Sequence, residues 1–501
     1  MVFSSLEFIY LFLPPVLIGF LCLRALRMET AIIWWLIMAS LVFYMCWSPK
    51  HLILLLLSVG CNYLIHLHLK KSKSKVILTL GIIANLLMLG VFKYADFFIG
   101  NFNAITGIEA PELGLILPLA ISFYTFQQVS FLRDTYQDKL VNCDFKKYAL
   151  FVTFFPQLIA GPIVMQRDTI PQFNMDNFSN RYVTNIMAGA TLFSIGLFKK
   201  IILADGIAPM ANAVFTIADQ GANVPMEAAW LGAIAYTFQI YFDFSGYCDM
   251  ALGLALMFGI RLPINFNSPY RSLSIVEFWR RWHITLSRFL RDYLYIPLGG
   301  NKSGLLGTRG NLAITMLLGG LWHGAGWNFI IWGALHGGYL MINHIWSGSN
   351  LGQSFRTTIN TYVYATFAWS ITMVAVILAW VFFRAETFTG ATIMLQSMFG
   401  LTEYIGIRTW QEIVPDFELA PYLLLLMTMI VVLLPNSIEF TSKYRPVLDT
   451  AKEIGRPLFK AFQFRWSPRP VWAISFMAIA LASIIQIYRL NDLTEFIYFN
   501  F

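Results

Sequence analysis

Residues 311–345, NLAITMLLGGLWHGAGWNFIIWGALHGGYLMINHI, contain no Asp, Glu, Lys or Arg. A helix needs about 20 mostly apolar residues to cross a bilayer, so this stretch is too long for one simple crossing. Gly319, Gly320, Gly324 and Gly326 crowd its centre, and glycine is a poor residue for the interior of a helix. The stretch therefore predicts a membrane span that is broken in the middle.

The whole chain has the same apolar character. Of its 501 residues, 57% are apolar and 12% are charged, and the mean hydropathy is +0.63. A soluble domain has about 25% charged residues. Plausible spans lie near 5–26, 31–47, 52–69, 76–99, 114–131, 148–165, 183–203, 227–260, 311–345, 359–383, 421–435 and 470–488. The sequence thus predicts an all-α polytopic membrane protein with a single transmembrane domain over 1–501.

Two further segments do not fit a simple crossing. The stretch 227–260 is too long and, like 311–345, is punctuated by glycine. The stretch 261–300 is too polar for lipid, yet it is aromatic-rich and flanked by apolar segments. Irregular backbone at membrane depth occurs where protein or an aqueous cavity surrounds it. The stretch 261–300 therefore predicts non-helical or re-entrant structure that lines an enclosed cavity.

The charge of the loops predicts the orientation. Lysines crowd 70–75, whereas 100–113 has no Lys or Arg. Because basic loops stay in the cytoplasm, 70–75 and the basic stretch 436–469 are predicted to be cytoplasmic. Both termini, including the tail 489–501, are then extracytoplasmic. The basic residues behind the net charge of +8 lie in such short loops, so nucleic-acid binding is not expected.

An ionisable residue inside an apolar segment is costly and usually faces a partner or a cavity. Asp243, in the stretch YFDFSGY at 241–247, is such a residue. One interpretation is a structural ion pair with Arg280, Arg281 or Arg291, which would hold an irregular segment together.

His323 is the strongest catalytic candidate from the residues alone. It lies among glycines, which let a substrate approach the backbone, and between Trp322 and Trp327, which can exclude water. A neutral imidazole in a dry cavity is suited to take a proton from a hydroxyl group; a buried structural histidine is the competing interpretation. A zinc site of His283, His323 and His336 is not expected, because their spacing lacks local ligand geometry.

The two histidine-bearing segments also carry a resemblance. The runs WRRWHITLSRFLRDYLYIPLGGN at 279–301 and LLGGLWHGAGWNFIIWGALHG at 317–337 resemble the membrane-bound O-acyltransferase superfamily. The similarity points in particular to the bacterial branch of alginate and peptidoglycan O-acetyltransferases and the D-alanyl exporter of teichoic acid. Further matching stretches are MVFSS at 1–5, LPLAISFYTFQ at 117–127, FPQLIAGPI at 155–163, YFDFSGYCDMALGLALMFG at 241–259 and WVFFRAE at 380–386.

The resemblance implies a ring of transmembrane helices around a thin central floor, in the bacterial cytoplasmic (inner) membrane. It places the essential histidine at His323 and the second signature histidine, with an orienting role, at His283. Asp243 would support the histidines, and Arg280 and Arg281 would shape the cytoplasmic opening. No bound cofactor is implied; the expected donor is acetyl-CoA, and the acetyl group would pass to a periplasmic SGNH-type partner that modifies a polysaccharide.

The last six residues, FIYFNF at 496–501, form an aromatic tail with one nucleophile, Tyr498. The tail resembles the C-terminal motif of the peptidoglycan-type members, in which the tyrosine would relay the acetyl group covalently. An aromatic anchor at the membrane interface is the alternative interpretation. The presence of the tail favours peptidoglycan over alginate as the final acceptor.

Two other classes of function remain open at this point. A transporter or flippase of a polysaccharide precursor or acyl carrier would account for charges and broken helices at the midplane, though not for the Trp-His-Gly motif. A non-catalytic scaffold for a polysaccharide export complex is the other alternative.

Overall fold

The computed structural model describes residues 1–139, 143–302, 304–402, 410–414, 418–448, 466–489 and 496–497. Over these ranges the regular structure is entirely helical. The long first half comprises α1 (Leu13–Ala25), α2 (Glu29–Met45), α3 (Pro49–Ser72), α4 (Lys75–Thr106), α5 (Ile121–Tyr136), α6 (Phe145–Thr153), α7 (Phe155–Leu158), α8 (Gln166–Thr169), α9 (Met175–Ser179), α10 (Tyr182–Phe198), α11 (Asp205–Asp219) and α12 (Met226–Met257). The prediction of an all-α protein is confirmed.

The second half begins with two short helices and continues with longer ones. It comprises α13 (Ile275–Arg281), α14 (Ile284–Leu290), α15 (Gly304–His323), α16 (Trp327–Gly348), α17 (Asn350–Thr358), α18 (Thr361–Arg384), α19 (Phe388–Met398), α20 (Trp410–Ile413), α21 (Ala420–Leu433), α22 (Ser437–Thr441) and α23 (Pro470–Arg489). Three π-helical segments, Glu7–Phe12, Lys199–Ala204 and Arg291–Tyr295, adjoin α1, join α10 to α11 and follow α14.

Within the described ranges, six helical segments are long and apolar enough to cross a membrane. They are Glu7–Ala25, Pro49–Ser72, Lys75–Thr106, Tyr182–Asp219, Thr361–Arg384 and Pro470–Arg489. A seventh candidate is α21 together with the segment Ser437–Tyr444, which meet at a bend of 44°. The protein is therefore a multi-pass membrane protein.

Several of the predicted spans are wrong in detail. Residues 148–165 do not form one helix: α6 and α7 are short, and the chain is non-helical over 159–165. In the span predicted at 114–131, helix begins only at Ile121. The stretch 227–260, by contrast, is not interrupted by its glycines, because α12 is one continuous helix of 32 residues. At 1.5 Å per residue it is about 48 Å long, and it is buried along most of its length.

The break predicted in 311–345 is confirmed. Helix α15 ends at His323, residues 324–326 are non-helical, and α16 begins at Trp327. The stretch 261–300 is partly helical, since α13 and α14 lie between irregular segments that include 260–268. His323 is the last helical residue before the break at 324–326, and His283 lies in the irregular backbone between α13 and α14.

Candidate active site

His323 lies at the carboxyl end of α15 in an aromatic enclosure. Its side chain is 2% exposed. Its ring centroid is 4.8 Å from that of Trp322, 4.9 Å from that of Trp332 and 5.1 Å from that of Phe383. The break in the span thus leaves the imidazole in a dry, aromatic pocket at the end of the helix, where an ionisable group is shielded from bulk water.

His283 lies between α13 and α14 in a left-handed backbone conformation, with φ +42°. Few residues other than glycine adopt this conformation, and histidine, asparagine and aspartate do so most often. Its Nδ1 is 3.0 Å from Oδ1 of Asn265, which also accepts a hydrogen bond from the Thr285 hydroxyl at 2.9 Å. Because an amide oxygen only accepts, Nδ1 of His283 carries the proton and Nε2 carries the lone pair.

The indole of Trp322 joins the two histidines. Its ring centroid is 6.0 Å from that of His283 and 4.8 Å from that of His323. The fold therefore brings together the two residues that the resemblance singled out, although His283 lies between α13 and α14 and His323 ends α15. The indole N–H of Trp322 is buried and has no hydrogen-bond acceptor among the described residues, which leaves a donor beside both imidazoles.

His336 lies on α16 in the same aromatic cluster. Its Nδ1 accepts a hydrogen bond of 3.3 Å from the indole of Trp279, and Trp332 contacts both His336 and His323 at 4.7 and 4.9 Å. In the described part of the chain, no three His, Cys, Asp or Glu side chains are arranged to hold a metal ion. Aromatic rings surround these histidines instead.

The partner of Asp243 differs from the predicted arginines. Its Oδ1 is 2.7 Å from Nζ of Lys200, which also contacts Asp205 at 2.8 Å. Its Oδ2 accepts a hydrogen bond of 3.1 Å from the backbone N–H of Ile497. The sequence interpretation failed because Lys200 comes from another helical segment and reaches Asp243 only through the packing of the segments around α12. Asp243 was expected to support the histidines. The contacts described here join it to Lys200 and to the tail instead.

The predicted arginines have other environments. Arg281 pairs with Glu277 at 2.9 Å, and Arg291 contacts Asp292 at 2.8 Å. Arg280 is exposed. Arg291 is also exposed, but it contacts Asp292, so Arg280 is the exposed arginine of the three that no ion pair among the described residues engages.

Trp327 does not cover His323. It is 58% exposed, and its indole N–H donates to Oδ1 of Asn101 on α4 at 2.9 Å. It lines, with Phe383 and Ile497, a cavity of about 650 Å³ that also includes Gln239 and Arg384. Because Phe383 contacts His323, this cavity begins next to the imidazole. Trp327 contacts Asn101, at the start of the stretch 100–113; that stretch has no Lys or Arg and is therefore predicted to be external.

The described part of the tail reaches that cavity. Phe496 is 1% exposed; its ring centroid is 4.5 Å from that of Tyr247 and 4.9 Å from Nζ of Lys200. Ile497 follows it into the cavity lining. Tyr498 itself lies outside the described residues.

Three residues of the site were missed by the sequence interpretation: Lys200, Asn265 and Lys93, whose ammonium group donates to the carbonyl oxygen of Trp322. Lys93 and Lys200 lie in predicted apolar spans, and an ionisable residue there is itself a signal of function. Asn265 gave no such signal, because an asparagine in a polar segment is unremarkable until its partner is known. The glycines beside His323 also have a different role: at Gly320 and Gly324 a Cβ would collide with Phe329, so protein, and not a substrate, occupies the space there.

The class of protein follows from a comparison of the whole chain. The chain belongs to the membrane-bound O-acyltransferase family, whose model matches residues 30–381. It is therefore an acyltransferase embedded in a membrane. The runs at 279–301 and 317–337 that carried the resemblance, and with them His283 and His323, fall inside the matched region.

Three relatives show where the chain lies within that family. It is 45% identical to a peptidoglycan O-acetyltransferase of Helicobacter pylori, over 80% of each chain. It is 42% identical to a probable alginate O-acetylase of Azotobacter vinelandii, over 81% of this chain and 79% of the relative. A teichoic acid D-alanyltransferase of Streptococcus thermophilus is 32% identical over 46% of this chain and 57% of its own.

Proposed function

We propose that the protein transfers acetyl groups from cytoplasmic acetyl-CoA across the bacterial inner membrane to an extracytoplasmic polysaccharide, through a periplasmic SGNH-type partner. Two relatives, at 45% and 42% identity, have names that specify O-acetylation of peptidoglycan and of alginate. The aromatic tail favours peptidoglycan. The loop charges support a cytoplasmic donor side and an external tail.

In this mechanism His323 is the general base. Its imidazole takes the phenolic proton of Tyr498, and the phenolate oxygen attacks the thioester carbonyl of acetyl-CoA. The carbon–sulfur bond breaks, the imidazolium returns the proton to the departing thiolate, and an acetyl-tyrosine ester remains. A hydroxyl oxygen of the partner then attacks that ester and takes the acetyl group; the bond from the acetyl carbon to the tyrosyl oxygen breaks, and the hydroxyl proton passes to the phenolate, which restores Tyr498. A phenol has a pKa of about 10 in water, so it needs such a base within hydrogen-bond reach.

The other site residues orient and bind. His283, fixed through Nδ1 by Asn265, presents Nε2 within an environment shared with Trp322 and serves to orient the reacting groups. The free indole N–H of Trp322 is a donor for the oxygen that becomes negative in the transition state. The exposed Arg280, with Arg281 behind it, meets the phosphates of the donor at the cytoplasmic opening.

One observation carries the relay: Ile497, the residue before Tyr498, lines the same cavity as Phe383, whose ring contacts that of His323. The hydrogen bond from Ile497 N–H to Asp243 and the packing of Phe496 on Tyr247 and Lys200 hold the tail there. In this proposal Asp243 holds the tail in place, and the tail 489–501 lies on the external side of the membrane.

The test uses full-length protein in detergent with acetyl-CoA. Release of CoA thiol is followed spectroscopically, and the C-terminal peptide is examined by mass spectrometry. His323→Ala is expected to lower the rate by about 10²–10⁴-fold, the usual contribution of a general base. Tyr498→Phe keeps the aromatic area and is expected to abolish acetyl transfer and the acetylated peptide. His344→Ala, an exposed histidine on the same helix as His336, is the matched control.

The outcomes separate the parts of the proposal. Wild-type activity in His323→Ala would overturn the base assignment. Full activity in Tyr498→Phe, with no acetyl group on the tail, would overturn the relay but leave the acyltransferase. A transporter or flippase, the alternative suggested by the broken span, predicts no thioester cleavage in detergent, where there is no bilayer to cross.

A further inference from the structure

Two neighbouring side chains of helix α4 donate hydrogen bonds to the backbone beside His323. The ammonium group of Lys93 donates to the carbonyl oxygen of Trp322 at 2.5 Å and to that of His323 at 3.4 Å. The next residue, Tyr94, donates its hydroxyl to the carbonyl of Leu321 at 2.9 Å. Three consecutive carbonyls at the end of α15 are thus bound by two neighbouring side chains of another helix.

These carbonyls need partners from outside their own helix. The last four carbonyl groups of an α-helix have no intrahelical donor, and the break at 324–326 ends α15 at His323, which is 2% exposed and so shielded from water. The carboxyl end of a helix also carries a partial negative charge, which a cation stabilises. Lys93 supplies the donor, on a side chain that is a cation when protonated.

The same helix holds the other side of the break. Asn101 of α4 accepts the hydrogen bond from the indole of Trp327, the first residue of α16, at 2.9 Å. The Phe97 ring, between them on α4, lies 5.9 Å from the Trp327 ring. Lys93 and Asn101 are about 12 Å apart along the helix axis at 1.5 Å per residue, so α4 spans the break and fixes both of its ends.

The position of Lys93 does not follow from ion pairing. Among the described residues no carboxylate lies within ion-pair distance of Lys93. Its charge is instead opposed by the carbonyl dipoles and by the face of Trp322, whose ring centroid is 5.8 Å away. A lysine in an apolar helix is costly, and the contacts that compensate it here all lie at Trp322 and His323.

We propose that Lys93 is a positioning residue for His323. With Tyr94 and Asn101 it forms a clamp, here called the α4 clamp, that fixes the end of α15 and the start of α16 and so sets where the His323 imidazole lies. The inference rests on the proposed function in that His323 is the base; the fixing of the backbone does not depend on the chemistry.

The first experiment compares Lys93→Met, Lys93→Arg and Lys75→Met in full-length protein. Methionine keeps an unbranched chain of similar length without a donor or charge, arginine restores both, and Lys75 is the exposed lysine at the start of the same helix. A displacement of the base by about 1 Å costs about 10²-fold in rate. We expect Lys93→Met to lower kcat by about 100-fold with little change in KM for acetyl-CoA, Lys93→Arg to recover most of kcat, and Lys75→Met to match the wild type.

The second experiment measures the backbone directly. Hydrogen–deuterium exchange of peptides covering 319–327 is expected to rise in Lys93→Met and, less strongly, in Tyr94→Phe, while peptides from α10 and α12 stay unchanged. Wild-type kcat and unchanged exchange in Lys93→Met would overturn the proposal. An equal loss in Lys93→Met and Lys93→Arg, with exchange raised throughout the protein, would also overturn it, because Lys93 would then support overall stability only. If His323→Ala stays active while Lys93→Met still loosens 319–327, the clamp stands and the base assignment falls.

Discussion

Replacement of Gly320 by alanine is expected to displace His323 without touching it. Gly320 lies on α15 where that helix meets α16. A Cβ added there would be 2.3 Å from the carbonyl oxygen of Phe329 and 3.0 Å from Cα of Gly333. Both are backbone atoms of α16, so no side-chain rotation can make room. To reach ordinary contact, the two helices must separate by about 1 Å.

The magnitude follows from that separation. Overpacking a well-packed contact costs about 1–3 kcal/mol of stability. His323 is three residues further along the same helix, and its ring packs on Trp332, which lies on the other helix. Separation of the helices therefore moves the imidazole relative to its enclosure, and a misplacement of about 1 Å costs about 10²-fold in rate. The loss in activity should exceed the loss that the fall in stability alone produces at the assay temperature.

The neighbouring glycine provides the control. A Cβ at Gly319 would meet only the end of the Leu290 side chain, at 3.3 Å, and that end can rotate away. Gly319→Ala and Gly320→Ala are compared by CoA release from acetyl-CoA and by thermal unfolding in detergent. Gly319→Ala should stay within a few-fold of the wild type. If Gly320→Ala is as active as Gly319→Ala, the close approach of α15 and α16 does not position His323 and the reasoning is refuted.

Three further predictions concern single side chains. His283→Asn, which tolerates the left-handed backbone, should lower kcat partially, because an orienting role is graded; full activity would make His283 purely structural. His336→Ala should lower the thermal unfolding temperature through lost packing but retain more activity than His323→Ala; the reverse ranking would assign the base to His336. Asp243→Asn should speed removal of the tail by carboxypeptidase, because it breaks the buried pair with Lys200; digestion at the wild-type rate would show that this pair does not hold the tail.

The sequence was most informative where the backbone itself is irregular. The glycine-rich stretch 319–326 predicted the break in 311–345 correctly: Gly324 and Gly326 lie in it, although Gly319 and Gly320 remain within α15. Hydropathy failed at 148–165, where α6 and α7 are short and nearly every residue is buried. A segment buried in protein is as apolar as one in lipid, so periodicity and composition cannot separate the two. The stretch 227–260 shows the opposite case. Its glycines lie inside the continuous helix α12, because close packing stabilises glycines within a helix.

The site was predictable in its histidines and not in what surrounds them. The resemblance singled out His323 and His283, and the structure brings both to Trp322. The contacts of Asn265 and Lys93 depend on the packing of segments far apart in the chain. For Lys93 the partner is backbone, and no residue type in the sequence marks a carbonyl that has lost its helical donor.

The two consecutive lysines after α10 show why charge pairing in this protein is a property of the fold. In an α-helix, neighbouring residues do not point the same way. Lys199 and Lys200 begin a π-helical segment, and both reach α12: Lys199 binds Asp249 at 2.6 Å, and Lys200 binds Asp243 at 2.7 Å. Asp249 in turn accepts from Ser437 at 2.7 Å, beside the loop predicted to be cytoplasmic. Asp243 accepts from the tail predicted to be external. Each buried aspartate of α12 is thus bound by a lysine, and each also accepts a hydrogen bond from a second segment, Ser437 or the tail. Substitution of Lys199 should therefore loosen the segment at Ser437 more than the tail, and substitution of Lys200 should loosen the tail more than the segment at Ser437.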